Sequence, residues 1–210
     1  MQAKELLHHH LDECPLIAII RGVRPDEVEV IGDAIHEAGI RIIEVPLNSP
    51  DPLDSIGRLA DSFGERMLVG AGTVLQSSQV HEVRQAGGRL IVSPNTDVEV
   101  IEETARSGLV SCPGYFTPSD AFAAIGAGAT ALKLFPAEGA TPAVLKAHKA
   151  VLPDDVPIIV VGGVQPDNMA PWIEAGAAGF GLGSGLYRPG RSAAETLDRG
   201  RAYVEGAKVR

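Results

Sequence analysis

The chain has 210 residues, 45% of them hydrophobic and 21% charged, which supplies one sizeable core and departs from disordered compositions. Its formal net charge of −9 opposes nucleic acid and anionic membrane surfaces, so any phosphate it binds must be held by a local site rather than by the overall field. Cys14 and Cys112 lack CxxC spacing, and no apolar run reaches the roughly 20 residues of a membrane span; this disfavours zinc knuckles, disulfide scaffolds and membrane insertion, and fits a reducing, cytoplasmic setting.

The first stretch, MQAKELLHHHLDECP, is too polar for a signal peptide and reads as an amphipathic helix. His8, His9 and His10 are read as the partly exposed face of that helix rather than as a metal cluster. After it, an apolar strand-like run followed by a helix-like run recurs every 20 to 25 residues or so. Eight such units can be counted. The strand candidates are LIAIIRG (16–22), RIIEVPL (41–47), MLVGAGTV (67–74), LIVSPN (90–95), LVSCPGYF (109–116), TALKLFP (130–136), PIIVVGGV (157–164) and GFGLGSGLY (179–187). The intervening segments, from RPDEVEVIGDAIHEAG through QPDNMAPWIEAG (165–176) to RSAAETLDRGRAYVEGAK, read as helices, several opened by a cap or an early proline.

A glycine recurs just before a strand, in HEAGIRIIEV, RQAGGRLIVS, ARSGLVSCP, IGAGATALKL and IEAGAAGFGL, where it can end the helix in a left-handed conformation. Eight parallel strands alternating with helices predict a (β/α)8 TIM barrel, with an open doubly wound sheet as the alternative. One domain, residues 1–210, with an N-terminal helix is expected. Chemistry in such barrels sits at the C-terminal strand ends. The polar or glycine positions that fall there are Arg21, Glu44, Thr73, Asn95, Lys133, Gly162, Gly163 and Ser184.

Along TALKLFP the side chains alternate, so Leu132 and Leu134 suit the helix-facing side and Lys133 points into the barrel. Desolvation there favours the neutral amine, the form that attacks a carbonyl. Alternatively, Lys133 is ion-paired for structural reasons or clamps a phosphate. In IIEVPL the same alternation turns Glu44 inward, either as a proton-transfer partner or as a neutralising counter-charge. VVGGV ends strand seven and GLGSGLY ends strand eight, the place where barrels often hold phosphate on backbone N–H groups. Arg21, ending strand one, can grip a carboxylate or phosphate, or make a salt bridge at the rim. No His/Asp/Glu set has convincing metal-ligand spacing, so no metal is expected.

Taken together, AIIRG, IIEVPLNSP, VGAGTV, IVSPN, CPG, ALKLFPAE, VGGV and GLGS, in that order, resemble the class I 2-keto-3-deoxy-6-phosphogluconate and 6-phosphogalactonate aldolase family over nearly the whole chain. The resemblance implies a cofactor-independent (β/α)8 barrel, usually a homotrimer, that cleaves a phosphorylated 2-keto-3-deoxy sugar acid to pyruvate and glyceraldehyde 3-phosphate. By motif, Lys133 would form the Schiff base and Glu44 would be the general acid/base. Thr73, Pro94 and Phe135 would line the pyruvyl end, and Gly162, Gly163, Gly183 and Ser184 would hold the phosphate. The gluconate enzymes look like EVTLRT after the glutamate, with an arginine for the pyruvate carboxylate; here the chain reads Glu44-Val45-Pro46-Leu47-Asn48-Ser49-Pro50, which leaves Arg21 for that task. EVPLNSP and GLGSGLYRPG look like the galactonate branch. The competing expectations are the same reaction on the C4 epimer, a sugar-phosphate isomerase or epimerase barrel, and a non-catalytic phosphosugar-binding module.

Overall fold

The computed structural model describes residues 2–208. Nine parallel strands, β1 (Leu16–Ile19), β2 (Ile42–Pro46), β3 (Leu68–Gly72), β4 (Leu90–Val92), β5 (Val110–Cys112), β6 (Gly114–Tyr115), β7 (Leu132–Leu134), β8 (Ile158–Val161) and β9 (Gly179–Leu182), run in the order β5-β4-β3-β2-β1-β9-β8-β7-β6. β5 and β6 are two halves of one stave. Pro113, which has no N–H for the ladder, separates them: β5 pairs with β4, β6 pairs with β7, and Lys133 N–H donates to the Pro113 carbonyl at 2.8 Å. The ring therefore closes as an eight-stave (β/α)8 barrel, and the expected single strand at 109–116 is corrected to a broken one.

Helices α1 (Ala3–Glu13), α2 (Val28–Glu37), α3 (Pro52–Phe63), α4 (Ser77–Gln85), α5 (Val98–Arg106), α6 (Pro118–Gly126), α7 (Pro142–Lys149), α8 (Ala170–Glu174) and α9 (Ala193–Ala207) complete the fold. The glycines expected to end helices do so with positive φ: Gly39 at 105°, Gly87 at 88°, Gly108 at 72°, Gly128 at 99° and Gly176 at 95°. Most strands are shorter than their sequence runs, and two elements shorten for a specific local reason. The helix expected at 165–176 shrinks to α8 because Asn168 Oδ1 accepts from Gln165 N–H at 2.9 Å and folds 165–168 into a turn. The last strand stops at Leu182, and residues 183–187 curl so that the Leu186 and Tyr187 N–H groups donate to the Gly183 carbonyl at 2.9 and 3.1 Å.

The alternation along the staves sorts the core into two shells. Ala18, Ile20, Ile43, Val45, Leu132, Leu134, Ile158 and Val160 face the helices. Ile17, Ile19, Ile42, Leu90, Val92, Val110, Ala131, Ile159 and Val161 fill the barrel, and Leu6, Leu7 and Leu11 of α1 join that inner cluster as a plug. His10 belongs to the buried side of α1, at 7% exposure, so only His8 and His9 match the exposed face expected for the histidine run. Burying each Leu or Ile contributes roughly 1.5–3 kcal/mol, and with one end plugged the interior opens only at the C-terminal ends of the staves. Among the described residues, no helix is long and apolar enough to cross a membrane.

Candidate active site

The open end of the barrel holds a cavity of about 520 Å³, within the size range of small-molecule sites. Arg21, Thr73, Pro94, Lys133, Phe135, Gly162, Gly163, Gly183 and Ser184 all line it. Asn95, also at a strand end, is exposed and takes no part in the lining. Beneath the floor lies a second space of about 10 Å³, bordered by Glu44, Cys112 and Lys133 among apolar side chains, with room for at most one water. Lys133 borders both spaces, whereas Glu44 borders only the lower one.

Topology explains this arrangement. β2 is the second stave and β7 the sixth, so Glu44 and Lys133 face each other across the barrel. Even-numbered staves contribute to a common interior layer in such barrels, and here that layer is Glu44, Val92, Lys133 and Gly181. Gly72 on β3 leaves Glu44 its room: a Cβ there would fall against the Glu44 carboxylate. The last glycine of the GAGT motif thus borders the carboxylate as well as ending the strand.

Both ionisable groups are buried, Glu44 at 1% exposure and Lys133 at 7%. Glu44 Oε2 has no hydrogen-bond partner. Lys133 Nζ lies over the Phe135 ring, 4.6 Å from its centroid, and makes no ion pair with Glu44. Burial lowers the Lys133 pKa, against a raising influence from Glu44. Burial also raises the Glu44 pKa to about 7, opposed by Lys133 and Arg21. Burial thus pushes both groups toward neutrality, and they do not close into a hydrogen-bonded ion pair. Cys112, which borders the same small space, is driven up to about 12 by burial and stays a neutral thiol.

Above the lysine, the Arg21 guanidinium donates to Asn48 Oδ1 and, at 3.4 and 3.5 Å from its two Nη atoms, to Thr73 Oγ1. Thr73 adopts a left-handed φ of 56°, a conformation that costs a β-branched residue roughly 1–3 kcal/mol and that tends to persist at ligand sites. Asn48 thus does not substitute for a cation in the IIEVPLNSP loop; it holds the arginine of the neighbouring stave. On the far wall, Gly162 and Gly163 turn with φ of 116° and 66°, leaving backbone rather than side chain toward the cavity. Glu138, Gln165 and Arg188 also line the mouth. These three went unassigned from the sequence. Their only signal was position, directly after staves six, seven and eight.

Among the described residues, the grouping with metal-ligand geometry is His9, His10 and Glu13 on α1, at the plugged end. Glu13 Oε2 is already engaged by Arg41 at 3.2 Å, and the site takes no part in the cavity.

A model of the KDPG and KHG aldolase family matches residues 7–199. The chain belongs to that family. It is therefore an aldolase, a carbon–carbon lyase of a class I family. It is 48% identical over 191 residues to the 2-dehydro-3-deoxy-6-phosphogalactonate aldolase of Escherichia coli, covering 91% of this chain and 93% of that one. A solved structure described as native KDPGal superposes with a TM-score of 0.91 at 47% identity, over 92% of this chain and 94% of the other. The KDPG aldolase of Legionella pneumophila, with pyruvate captured as a covalent carbinolamine, aligns with a TM-score of 0.78 at 27% identity, over 99% and 97% of the two chains. The aldolase barrel is thus that of the family.

Proposed function

We propose that this aldolase cleaves 2-dehydro-3-deoxy-6-phospho-D-galactonate to pyruvate and D-glyceraldehyde 3-phosphate through a Schiff base on Lys133, within D-galactonate breakdown. The observation that carries the reading is the buried, unpaired Lys133–Glu44 couple at the cavity floor. Neutral Lys133 attacks the C2 ketone, and loss of water leaves an iminium. Ionised Glu44, through the one water its space admits, takes the C4 hydroxyl proton as the C3–C4 bond breaks and the electron pair moves into the enamine. The aldehyde leaves, Glu44 returns the proton to C3, and water hydrolyses the resulting pyruvyl iminium. A carboxyl with a pKa near 7 suits both directions of that transfer.

Arg21, held by Asn48 and Thr73, binds the substrate carboxylate; Thr73, Pro94 and Phe135 enclose the pyruvyl end; Gly162, Gly163, Gly183 and Ser184 receive the phosphate. No cofactor enters any step. The galactonate series is favoured over the gluconate series by the EVPLNSP form of the loop after Glu44 and by 48% identity to a galactonate-series enzyme, against 31% to a gluconate-series one. Steady-state assays with the two C4 epimers test this choice: kcat/KM should favour the galactonate epimer by about tenfold or more, the discrimination that one well-placed polar contact provides. Equal rates, or a preference for the gluconate epimer, would overturn it.

The reading includes a cytoplasmic homotrimer built from single barrel domains. Phe116, just before α6, and Phe122, within it, at 41% and 50% exposure, supply apolar surface for such an assembly to cover. Light scattering coupled to size exclusion should give three times the chain mass; a monomer would contradict the assembly.

A further inference from the structure

The two loops read as the phosphate end are braced by side chains from outside the cavity. In the 183–187 turn, Arg191 Nη1 donates to the carbonyl oxygens of both Ser184, at 3.1 Å, and Gly185, at 3.0 Å. Arg199 Nη1 adds a third bond, to the Gly185 carbonyl at 3.1 Å. In a trans peptide the carbonyl and the following N–H point in opposite directions. With the Ser184 carbonyl drawn outward to Arg191, the Gly185 N–H points the other way, toward the cavity that Ser184 and Gly185 line. That N–H has no acceptor among the described residues.

The second loop repeats the device with different side chains. Asn168 Nδ2 donates to the Gly163 carbonyl at 2.9 Å, while its Oδ1 accepts from Gln165 N–H at 2.9 Å. Drawing the Gly163 carbonyl outward turns the Val164 N–H inward, and that group too lacks an acceptor among the described residues. An uncompensated amide costs free energy in the empty protein and becomes a preorganised donor when an anion arrives.

We propose that Arg191 and Asn168 are positioning residues for the phosphoryl group: each holds one peptide plane so that the Gly185 and Val164 N–H groups converge on it. This inference rests on the reading of these loops as the phosphate end. Neither residue touches the substrate. The guanidinium acts through a carbonyl, so its charge also reinforces the peptide dipole aimed at the anion.

The test compares cleavage of the phosphorylated 2-keto-3-deoxy acid with that of its unphosphorylated counterpart in wild type, Arg191→Ala, Asn168→Ala and Arg191→Lys. Each alanine variant should raise KM for the phosphorylated acid by about tenfold or more, as for loss of a charge-assisted hydrogen bond, with kcat within roughly threefold. Handling of the unphosphorylated acid should not change, and Arg191→Lys should recover part of the loss because an ammonium can still donate to both carbonyls. Asn168→Ala, on the other loop, reads the same quantity independently should the arginine variant not fold. A wild type that prefers the phosphorylated acid, with folded variants that keep the full preference, would overturn the positioning role alone. A wild type that cleaves both acids equally would overturn the phosphate reading and this inference with it.

Discussion

Replacing Lys133 by alanine should lower kcat by a factor on the order of 10⁵ or more, the scale of loss when the nucleophile of a covalent mechanism is removed. The barrel should survive the change. Lys133 is 7% exposed and makes no ion pair with Glu44, so its removal breaks no charge network. Lys133→Met keeps the volume without the amine and should melt at or above the wild-type temperature, since a lysine with a lowered pKa is held in the native state at a cost whenever the pH favours its ammonium form. Thermal unfolding monitored by circular dichroism, beside a coupled pyruvate assay, separates the two effects. An alanine variant with substantial activity would remove the lysine from the chemistry. An inactive and unfolded methionine variant would make it structural.

Replacing Glu44 by glutamine should slow turnover by about 10²- to 10⁴-fold, as for loss of a positioned acid/base. In wild type, kcat/KM for cleavage should rise with pH through about 7 as the carboxyl ionises, and the glutamine variant should lose that rise. The same titration has a stability consequence of definite sign. A carboxyl raised from 4.5 to about 7 on folding contributes stability that is fully present below pH 4.5 and lost as the pH climbs through 7. Glu44→Gln should therefore be close to wild type in stability near pH 4 and more stable near pH 8, by up to roughly 3 kcal/mol for a shift of that size. Urea titrations at the two pH values check it. Gly72→Ala offers a companion variant that keeps the carboxylate but occupies its space, and it should reproduce much of the activity loss. A Glu44→Gln enzyme with undiminished kcat would end the acid/base assignment.

How far the sequence reached can be judged from single residues. Lys133 and Glu44 were readable because alternation along a buried strand has a period of two, and a charged residue in phase with the inner shell stands out. The helix-ending glycines were readable because only a left-handed residue joins those helices to the next strand. The break at Pro113 was hidden because an apolar run shows no pairing partners, and it is the ladder on each side that splits the stave. The short α8 was hidden because the Asn168 turn competes locally with a helix that its pattern alone would favour. The motif order pointed to Glu44 as a site residue, but not to its place below the cavity floor or the room that Gly72 leaves it. Asn48 looked like a lost cation from the sequence and turns out to hold Arg21, a contact between staves that no local pattern encodes. Arg188, Gln165 and Glu138 lie in loops without periodicity, where side-chain direction is set by the turn and not by the residue type.

The most direct measurement is mass spectrometry of the intact protein after incubation with pyruvate and borohydride, followed by peptide mapping. Reduction converts a pyruvyl imine into a stable secondary amine on the lysine that formed it. The expected result is one pyruvyl adduct per chain, located on Lys133, in wild type and in Glu44→Gln, and none in Lys133→Met. An adduct on another lysine, or an active wild-type enzyme that forms none, would contradict the Schiff-base mechanism.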